Sequence, residues 1–352
     1  MLDTRVLPLV EVAGSHREMG RQFGEQLRDR VRAYSRMWLG KASARSGLSR
    51  DELLGQMDGF VRAIEEHAPQ LAEEVRGVAE GADIPEMEAF SIQVRMELLH
   101  AGPPPPSCTT FALTGAHTAT GDVIVGQNVD LDAEVEDFGL ILKMKPDDAP
   151  AVLMYVSPGL VSYVGMNETG LAVHGNLLNA PGWRAGFPRY LITRLMLEQS
   201  TVADALEAGL MPRRASSRNL ILGDANGNIA DLELTVDDHG VLFSGDGVLV
   251  HANHYLSDGL RQLTETHAPP ASSIHRQRRM ADLLAAAERP IRVEDLQDFF
   301  RDHDGHPGSI CAHVRPESTS KTVASLISEP AAGRLHAAFG SPCQHDYAVY
   351  EF

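Results

Sequence analysis

Cysteine is scarce in this chain: Cys108, Cys311 and Cys343 are the only three among 352 residues. Three thiols in a chain this long do not make a disulfide framework, and the reducing cytosol fits them. Long apolar runs are missing too. No stretch approaches the ~20 consecutive apolar residues of a membrane-crossing helix. The opening residues Met1 to Glu11 carry an early acid and are broken by Pro8, whereas a secretory leader needs a basic start and an unbroken apolar stretch. Basic charge is in deficit: 31 Lys and Arg against 48 Asp and Glu give a formal net charge of −17. That balance argues against a nucleic-acid groove, which needs a basic stripe, and against docking on anionic lipid. Phosphate loops of the Walker type are absent, and so is the Gly-x-Ser-x-Gly elbow of serine hydrolases.

What is present is a globular composition, 43% hydrophobic, enough for a sizeable core. The length suits two average domains or one large layered domain. The first hundred residues read as helical. Ser15 is placed to cap a helix through Met19, Phe23 and Leu27, and Ser49 to cap a second from Asp51 to Ile64. Further helices are predicted over Leu71–Ala79 and Met87–Leu99. Four consecutive prolines, Pro103 to Pro106, then forbid both helix and interior strand and predict a stiff extended connector.

Beyond the prolines the texture changes to strands, predicted at Thr109–Leu113, Val123–Asn128, Leu140–Met144, Ala151–Val156, Val161–Met166 and Leu171–Asn176. Helices are predicted at Pro188–Gln199 and Val202–Leu210. Strands resume at Asn219–Leu222, Ile229–Leu234, Val241–Phe243 and Val248–His251, with a hairpin turn at 224–228. Two more helices, His275–Ala287 and Val293–Phe300, precede Thr322–Ser328, Leu335–Phe339 and Tyr347–Tyr350. Strand runs interleaved with helix pairs point to an α+β protein of mostly antiparallel sheets covered by helices.

Ser107-Cys108-Thr109 stands between the prolines and the first of these strands. If the 107–108 bond breaks, Cys108 carries a thiol and a free α-amine. The amine titrates near ~7.7–8.0 and the thiol near ~8.5, so the amine is a plausible base for its own sulfur. The bland alternative is a small buried thiol at a strand edge. Other residues read plainly. Asn128 and Asp130 suit a turn after a strand, and Asn167 with Gly170 a turn. His251 and His254 have metal-like spacing but lie at a strand end with no accompanying cluster, so no metal is expected there. His303 and His306 read as a polar loop, and Cys311 and Cys343 as core thiols. Arg213, Arg214 and Arg218, and the run Arg276-Gln277-Arg278-Arg279, read as solvated surface. Trp183 and Phe187, in the 177–187 loop, either line a pocket or pack inward.

Taken together, Ser-Cys-Thr-Thr-Phe at 107–111, Gly126-Gln127-Asn128-Val129-Asp130, Asn167-Glu168-Thr169-Gly170-Leu171, His174-Gly175-Asn176, His251-Ala252-Asn253-His254, Gly340-Ser341-Pro342-Cys343 and Gly14-Ser15-His16-Arg17-Glu18-Met19-Gly20 resemble the acyl-CoA:6-aminopenicillanate acyltransferase family. These are autoproteolytic N-terminal-nucleophile (Ntn) cysteine hydrolases, more distantly similar to penicillin V acylase and bile salt hydrolase. The resemblance runs over roughly residues 10–352. It implies a four-layer αββα sandwich, with residues 1–107 a helical segment released at the Ser107–Cys108 bond but kept as a partner, and 108–352 the catalytic core. It implies Cys108 as nucleophile, Asp130 holding the new α-amine, Asn253 as oxyanion donor, Asn176 as a second asparagine near the oxyanion, and Arg315 as the arginine of the network. Asn128, Thr109 and Ser325 take supporting places. The substrate implied is a small N-acyl amide, with acyl-CoA as the alternative acyl source, and no cofactor. The chain has Ser107 where the family usually has glycine, and Val129 where it often has an aromatic residue.

Overall fold

The computed structural model describes residues 5–99, 107–267, 271–316 and 318–352; the predicted proline connector at 103–106 lies outside them. The chain begins with strand β1 (Leu9–Gly14) and a run of helices: α1 (His16–Gln26), α2 (Arg28–Ser46), α3 (Arg50–Leu54), α4 (Asp58–His67), α5 (Pro69–Ala82), α6 (Glu86–Gln93) and α7 (Arg95–Leu98). The strands β2 (Thr109–Leu113), β3 (Ile124–Asp132), β4 (Leu140–Pro146), β5 (Val152–Val156), β6 (Val164–Asn167) and β7 (Leu171–Asn176) follow. Next come α8 (Arg189–Leu197), α9 (Val202–Leu210), β8 (Arg218–Asp224), β9 (Ile229–Leu234), β10 (His239–Leu242) and β11 (Val248–His251). The chain closes with α10 (Gln262–Thr266), α11 (Ser273–Ala286), α12 (Val293–Phe300), β12 (Ser320–Glu329), β13 (Arg334–Phe339) and β14 (Tyr347–Glu351).

The described strands form two sheets, ordered β1-β4-β5-β6-β7-β8-β9-β10 and β11-β2-β3-β12-β13-β14. Every pairing is antiparallel except β1 with β4. The sheets stack through β2 and β3 against β7 and β8; α8 and α9 cover the outer face of the first sheet, α11 and α12 that of the second. This is the expected α+β, four-layer αββα architecture. Because both faces of each sheet are covered, β2, β5, β7, β8 and β9 are buried along their whole length. β5 accordingly is an apolar run from end to end, while β8 and β9 bury charged residues such as Arg218, Asp231 and Glu233 inside the fold.

One expectation gives way. Residues 1–107 are not purely helical: β1 adds the edge strand of the larger sheet, in parallel register Leu9↔Ile141 to Gly14↔Pro146. Its burial alternates, with Val10 and Val12 inward. The expected helix starts do form. The Ser15 hydroxyl accepts from the Glu18 N–H, and Ser49 with Glu52 makes a reciprocal capping box. Helices α1 and α5 cross at van der Waals contact of their backbones because glycine lines the crossing. A Cβ at Gly20 would lie 1.9 Å from the Glu74 carbonyl oxygen, and one at Gly77 2.1 Å from that of Arg17.

Candidate functional site

Cys108 is the last residue before β2, in a strand pair that is interior to the sheet on both sides. Alternation along β2 then sorts its neighbours. Thr110 points between the sheets and meets Asn176 of β7, while Thr109 points outward to Arg276 of α11. Cys108 is 4% exposed, and its Sγ lies 4.0 Å from the Asp130 carbonyl oxygen. Its backbone N–H donates to Asn253 Oδ1 at 2.9 Å. Its carbonyl oxygen accepts from Arg276 Nη1. The same guanidinium donates to Thr109 Oγ1 at 2.8 Å and to Asn253 Oδ1 at 2.9 Å. One fork thus holds the Cys108 carbonyl and also the Asn253 oxygen that accepts the Cys108 N–H.

Asn253 receives two N–H donors on Oδ1, which fixes its amide orientation. Nδ2 then donates to Leu177 O at 2.9 Å and keeps a second hydrogen. Asn176 is fixed by a chain that starts at a carboxylate: Asp231 accepts from Asn219 Nδ2, Asn219 Oδ1 accepts from Asn176 Nδ2, and Nδ2 also donates to Thr110 Oγ1. Both Asn176 donors are spent, and its buried Oδ1 has no partner among the described residues. This side chain, expected as a second asparagine near the oxyanion, therefore presents an acceptor to the cleft.

Asp130 does not end its strand. It sits inside β3, fully buried, opposite Thr322 of β12. A register shift between Thr322 and Ala324 marks a bulge at this point, of the kind that re-aims side chains near functional sites. Thr322 Oγ1 donates to Asp130 Oδ1 at 2.7 Å, and Oδ2 is left with no partner among the described residues. Burial pushes the Asp130 carboxyl up to about 7, against the pull of Arg276 and the Thr322 hydrogen bond. Burial, reinforced by Asp130, pushes the Cys108 thiol up to about 12. In the intact chain the thiol is therefore protonated at neutral pH, while the buried Asp130 carboxyl titrates where a general base is most useful.

Cys108, Asp130, Asn176, Leu177, Tyr163, Tyr190, Arg189 and Arg218 line a cavity of about 30 Å³, room for a water or two rather than for an acyl group. Arg189 and Arg218, together with Arg214, are buried, which corrects the expectation of a solvated patch at Arg218 and Arg214. Arg218 donates to the Arg189 and Tyr163 carbonyls, while Arg189 Nη2 is buried without a partner among the described residues. Phe187 packs inward against His67.

The other expected residues divide. Thr109 belongs to the cluster through Arg276. Asn128 points to the helical layer and donates to the Phe300 and Ile310 carbonyls, so it anchors α12 and the following loop. Ser325, expected in a supporting place, bonds the Tyr347 hydroxyl. Arg315 lies in a loop bridge with Ser318, and the arginine that reaches Cys108 is Arg276. The charge run at 276–279 disguised it. The signal was its register, since Ser273, Arg276, Met280 and Leu284 are the buried stripe of α11. Cys311 and Cys343, expected as core thiols, meet each other and His303 and His313.

Residues 117–344 match the family described as acyl-coenzyme A:6-aminopenicillanic acid acyl-transferase. The chain belongs to that family. The matched stretch takes in Asp130, Asn176, Asn253 and Arg276 and begins just past Cys108. A curated relative, the acyl-coenzyme A:6-aminopenicillanic-acid-acyltransferase 40 kDa form of Emericella nidulans, is 23% identical over 351 residues, spanning 96% of this chain and 94% of its own. Among solved structures, penicillin V acylase from Agrobacterium tumefaciens aligns with TM-score 0.47 at 14% identity, over 70% of this chain and 86% of that one. A mutant conjugated bile acid hydrolase from Clostridium perfringens aligns with TM-score 0.44 at 16% identity, over 70% and 97%. No described helix is long and apolar enough to cross a membrane.

Proposed function

We propose that the chain is an autoproteolytic cysteine amidohydrolase whose nucleophile and base are the sulfur and the freed α-amine of Cys108. The observation that carries this reading is the double hold on that residue. Its nitrogen is fixed by Asn253 and its carbonyl by Arg276, while its sulfur lies in the same cleft as a buried, half-partnered Asp130.

In maturation, Cys108 Sγ attacks the carbonyl carbon of Ser107 and its proton passes to Asp130. The C–N bond breaks as that proton passes on to the Cys108 nitrogen, which leaves as an amine, and a thioester links Ser107 to the sulfur. Water then hydrolyses the thioester and gives a Ser107 carboxylate and a free thiol. The two pieces stay together through the β1–β4 pairing and through Glu97, which accepts from the Arg189 N–H and the Ser216 hydroxyl. The new amine supplies the partner that Asp130 Oδ2 lacks.

In turnover, the amine takes the thiol proton and the sulfur attacks the substrate amide. The spare Nδ2 hydrogen of Asn253 stabilises the oxyanion, a contribution typically worth on the order of 3 kcal/mol. The ammonium protonates the departing amine, and water releases the acid from the acyl-cysteine. Asn176 Oδ1 is an acceptor for a substrate N–H. Arg189 and Tyr190 give the cleft a cationic, aromatic wall, which suits a substrate that carries a carboxylate.

Acyl transfer is the second reading, favoured by the end-to-end curated relative. There the acyl-cysteine forms from an acyl-CoA thioester and an amine replaces water. Mature protein assayed on N-acyl amino acids, and on acyl-CoA with and without an amine acceptor, separates the two. Acid release from the amides supports hydrolysis. Amide formation that requires acyl-CoA supports transfer, and turnover of neither class contradicts both.

A further inference from the structure

We propose that His303, Cys311, His313 and Cys343 form a Cys2His2 site for zinc(II). Their ligating atoms, one from each residue, all lie within 4.8 Å of one another. The two sulfurs are 3.6 Å apart, the two imidazole Nε2 atoms 3.0 Å apart, and His313 Nε2 lies 3.7 Å from Cys311 Sγ and 3.4 Å from Cys343 Sγ. Tetrahedral zinc with bonds of about 2.3 Å to sulfur and about 2.0–2.1 Å to nitrogen spaces its ligands by about 3.8 Å (S to S), about 3.6 Å (S to N) and about 3.4 Å (N to N). Each of these four edges falls within about half an ångström of that polyhedron.

A thiol pair poised for a disulfide accounts for the sulfurs alone. It gives no reason for two stacked imidazoles, ring centroids 5.1 Å apart, to aim their Nε2 atoms at the same point. The donor set also selects the ion. Two thiolates and two imidazoles suit zinc and exclude the oxygen-seeking magnesium and calcium. Binding releases the two thiol protons, and the filled site is neutral overall. All four positions are taken by protein, which marks a structural site rather than one that activates water.

Its place in the fold gives it a purpose. Three ligands belong to the loop after α12 and the fourth to the turn after β13. Both segments lean on Thr322: the Ala312 N–H donates to Thr322 Oγ1, the Thr322 N–H to Ala312 O, and the Ser341 hydroxyl to Thr322 O. Thr322 is the residue that donates to Asp130. Zinc would staple loop and turn together behind the hydroxyl that orients the buried carboxylate.

The test uses the full chain carrying Cys108→Ala, so that neither cleavage nor the Cys108 thiol enters the readout and the proposal stands or falls apart from the proposed activity. The untagged protein is purified under reducing conditions, dialysed, and analysed for metal content and by circular dichroism. One zinc per chain is expected, released by a mercurial thiol reagent. Exchange for cobalt(II) is expected to give the intense visible bands of a tetrahedral thiolate complex. The further variants Cys343→Ser and His303→Ala are expected to fold and to fall to background zinc. Zinc that washes out of the parent as readily as out of Cys343→Ser, a faint octahedral cobalt spectrum, or a Cys311–Cys343 disulfide in the reduced preparation would each overturn the site.

Discussion

Arg276→Met removes the positioning residue of the candidate site and keeps its volume. Arg276 is 1% exposed and donates to the Cys108 carbonyl, Thr109 Oγ1 and Asn253 Oδ1. Hydrogen bonds to a charged group contribute about 1.5–3 kcal/mol each, but only the part that holds the reacting geometry appears in a rate. Loss of one preorganised donor slows catalysis by about 100- to 1,000-fold, and that is the expected drop in self-cleavage. The substitution also strips Asp130 of its nearby cation, which lowers the carboxyl's pKa in the intact protein. The apparent pKa of maturation, expected near the Asp130 value of about 7, then moves up.

Stability moves with it. A carboxyl raised by folding contributes stability that is complete below its unfolded pKa, about 3.9, and is lost as pH rises through the folded value. The Met variant is therefore destabilised relative to the parent, and more at about pH 8 than at about pH 6, with about 3–5 kcal/mol the scale for breaking a buried charge pair. Time-resolved intact mass across pH, alongside thermal melts in a Cys108→Ala background, reads both effects. Arg276→Lys keeps the charge without the fork and is expected to restore the pH midpoint but not the rate. Cleavage of Arg276→Met at the parent rate with an unmoved midpoint would refute the reasoning.

Other outcomes follow from single contacts. Gly20→Ala places a methyl where the Glu74 carbonyl stands, and it is expected to cost about 3 kcal/mol or more as α1 and α5 are forced apart, measured by denaturant melts. His174 is buried between the sheets against Ser328, and burial lowers its pKa to about 3. Its depressed pKa makes acid destabilising: stability is complete above about pH 6.5 and falls by several kcal/mol toward about pH 3. His174→Phe is expected to flatten that limb of the stability–pH curve. Arg189→Met is expected to raise KM for N-acyl amino acids and to leave neutral N-acyl amides nearly unchanged, provided its effect runs through the substrate carboxylate; equal losses on both would point to packing alone.

Much of this arrangement is written locally. Strands β2 and β5 coincide with their β-branched and apolar runs, because a short buried strand can be recognised from such a run without long-range information. β1 is the instructive miss. Its Val10/Val12 alternation has period two, but it is only six residues long and its partner β4 lies far along the chain, at 140–146. Asp130 misleads for a different reason. Asn and Asp are turn-formers by intrinsic preference, and only pairing with β12 and the bulge at Thr322 places one inside a buried strand. Arg276 shows the converse, since a cluster of cations at 276, 278 and 279 suggests solvent while helical register puts one of them on the apolar stripe. The His–Cys cluster draws on 303, 311, 313 and 343, spacings that match no contiguous ligand motif, so only the loop after α12 and the turn after β13 bring it together.

On the proposed reading, Cys108 cuts the chain at its own nitrogen and then works from that new terminus. Intact mass spectrometry of freshly purified wild-type protein, beside Cys108→Ala, tests this most directly. The expected result is two wild-type fragments, residues 1–107 and 108–352, that co-purify, and a single uncut, inactive chain for the alanine variant. An uncut wild-type chain that still turns over substrate, or an alanine variant cut at the same bond, would contradict it.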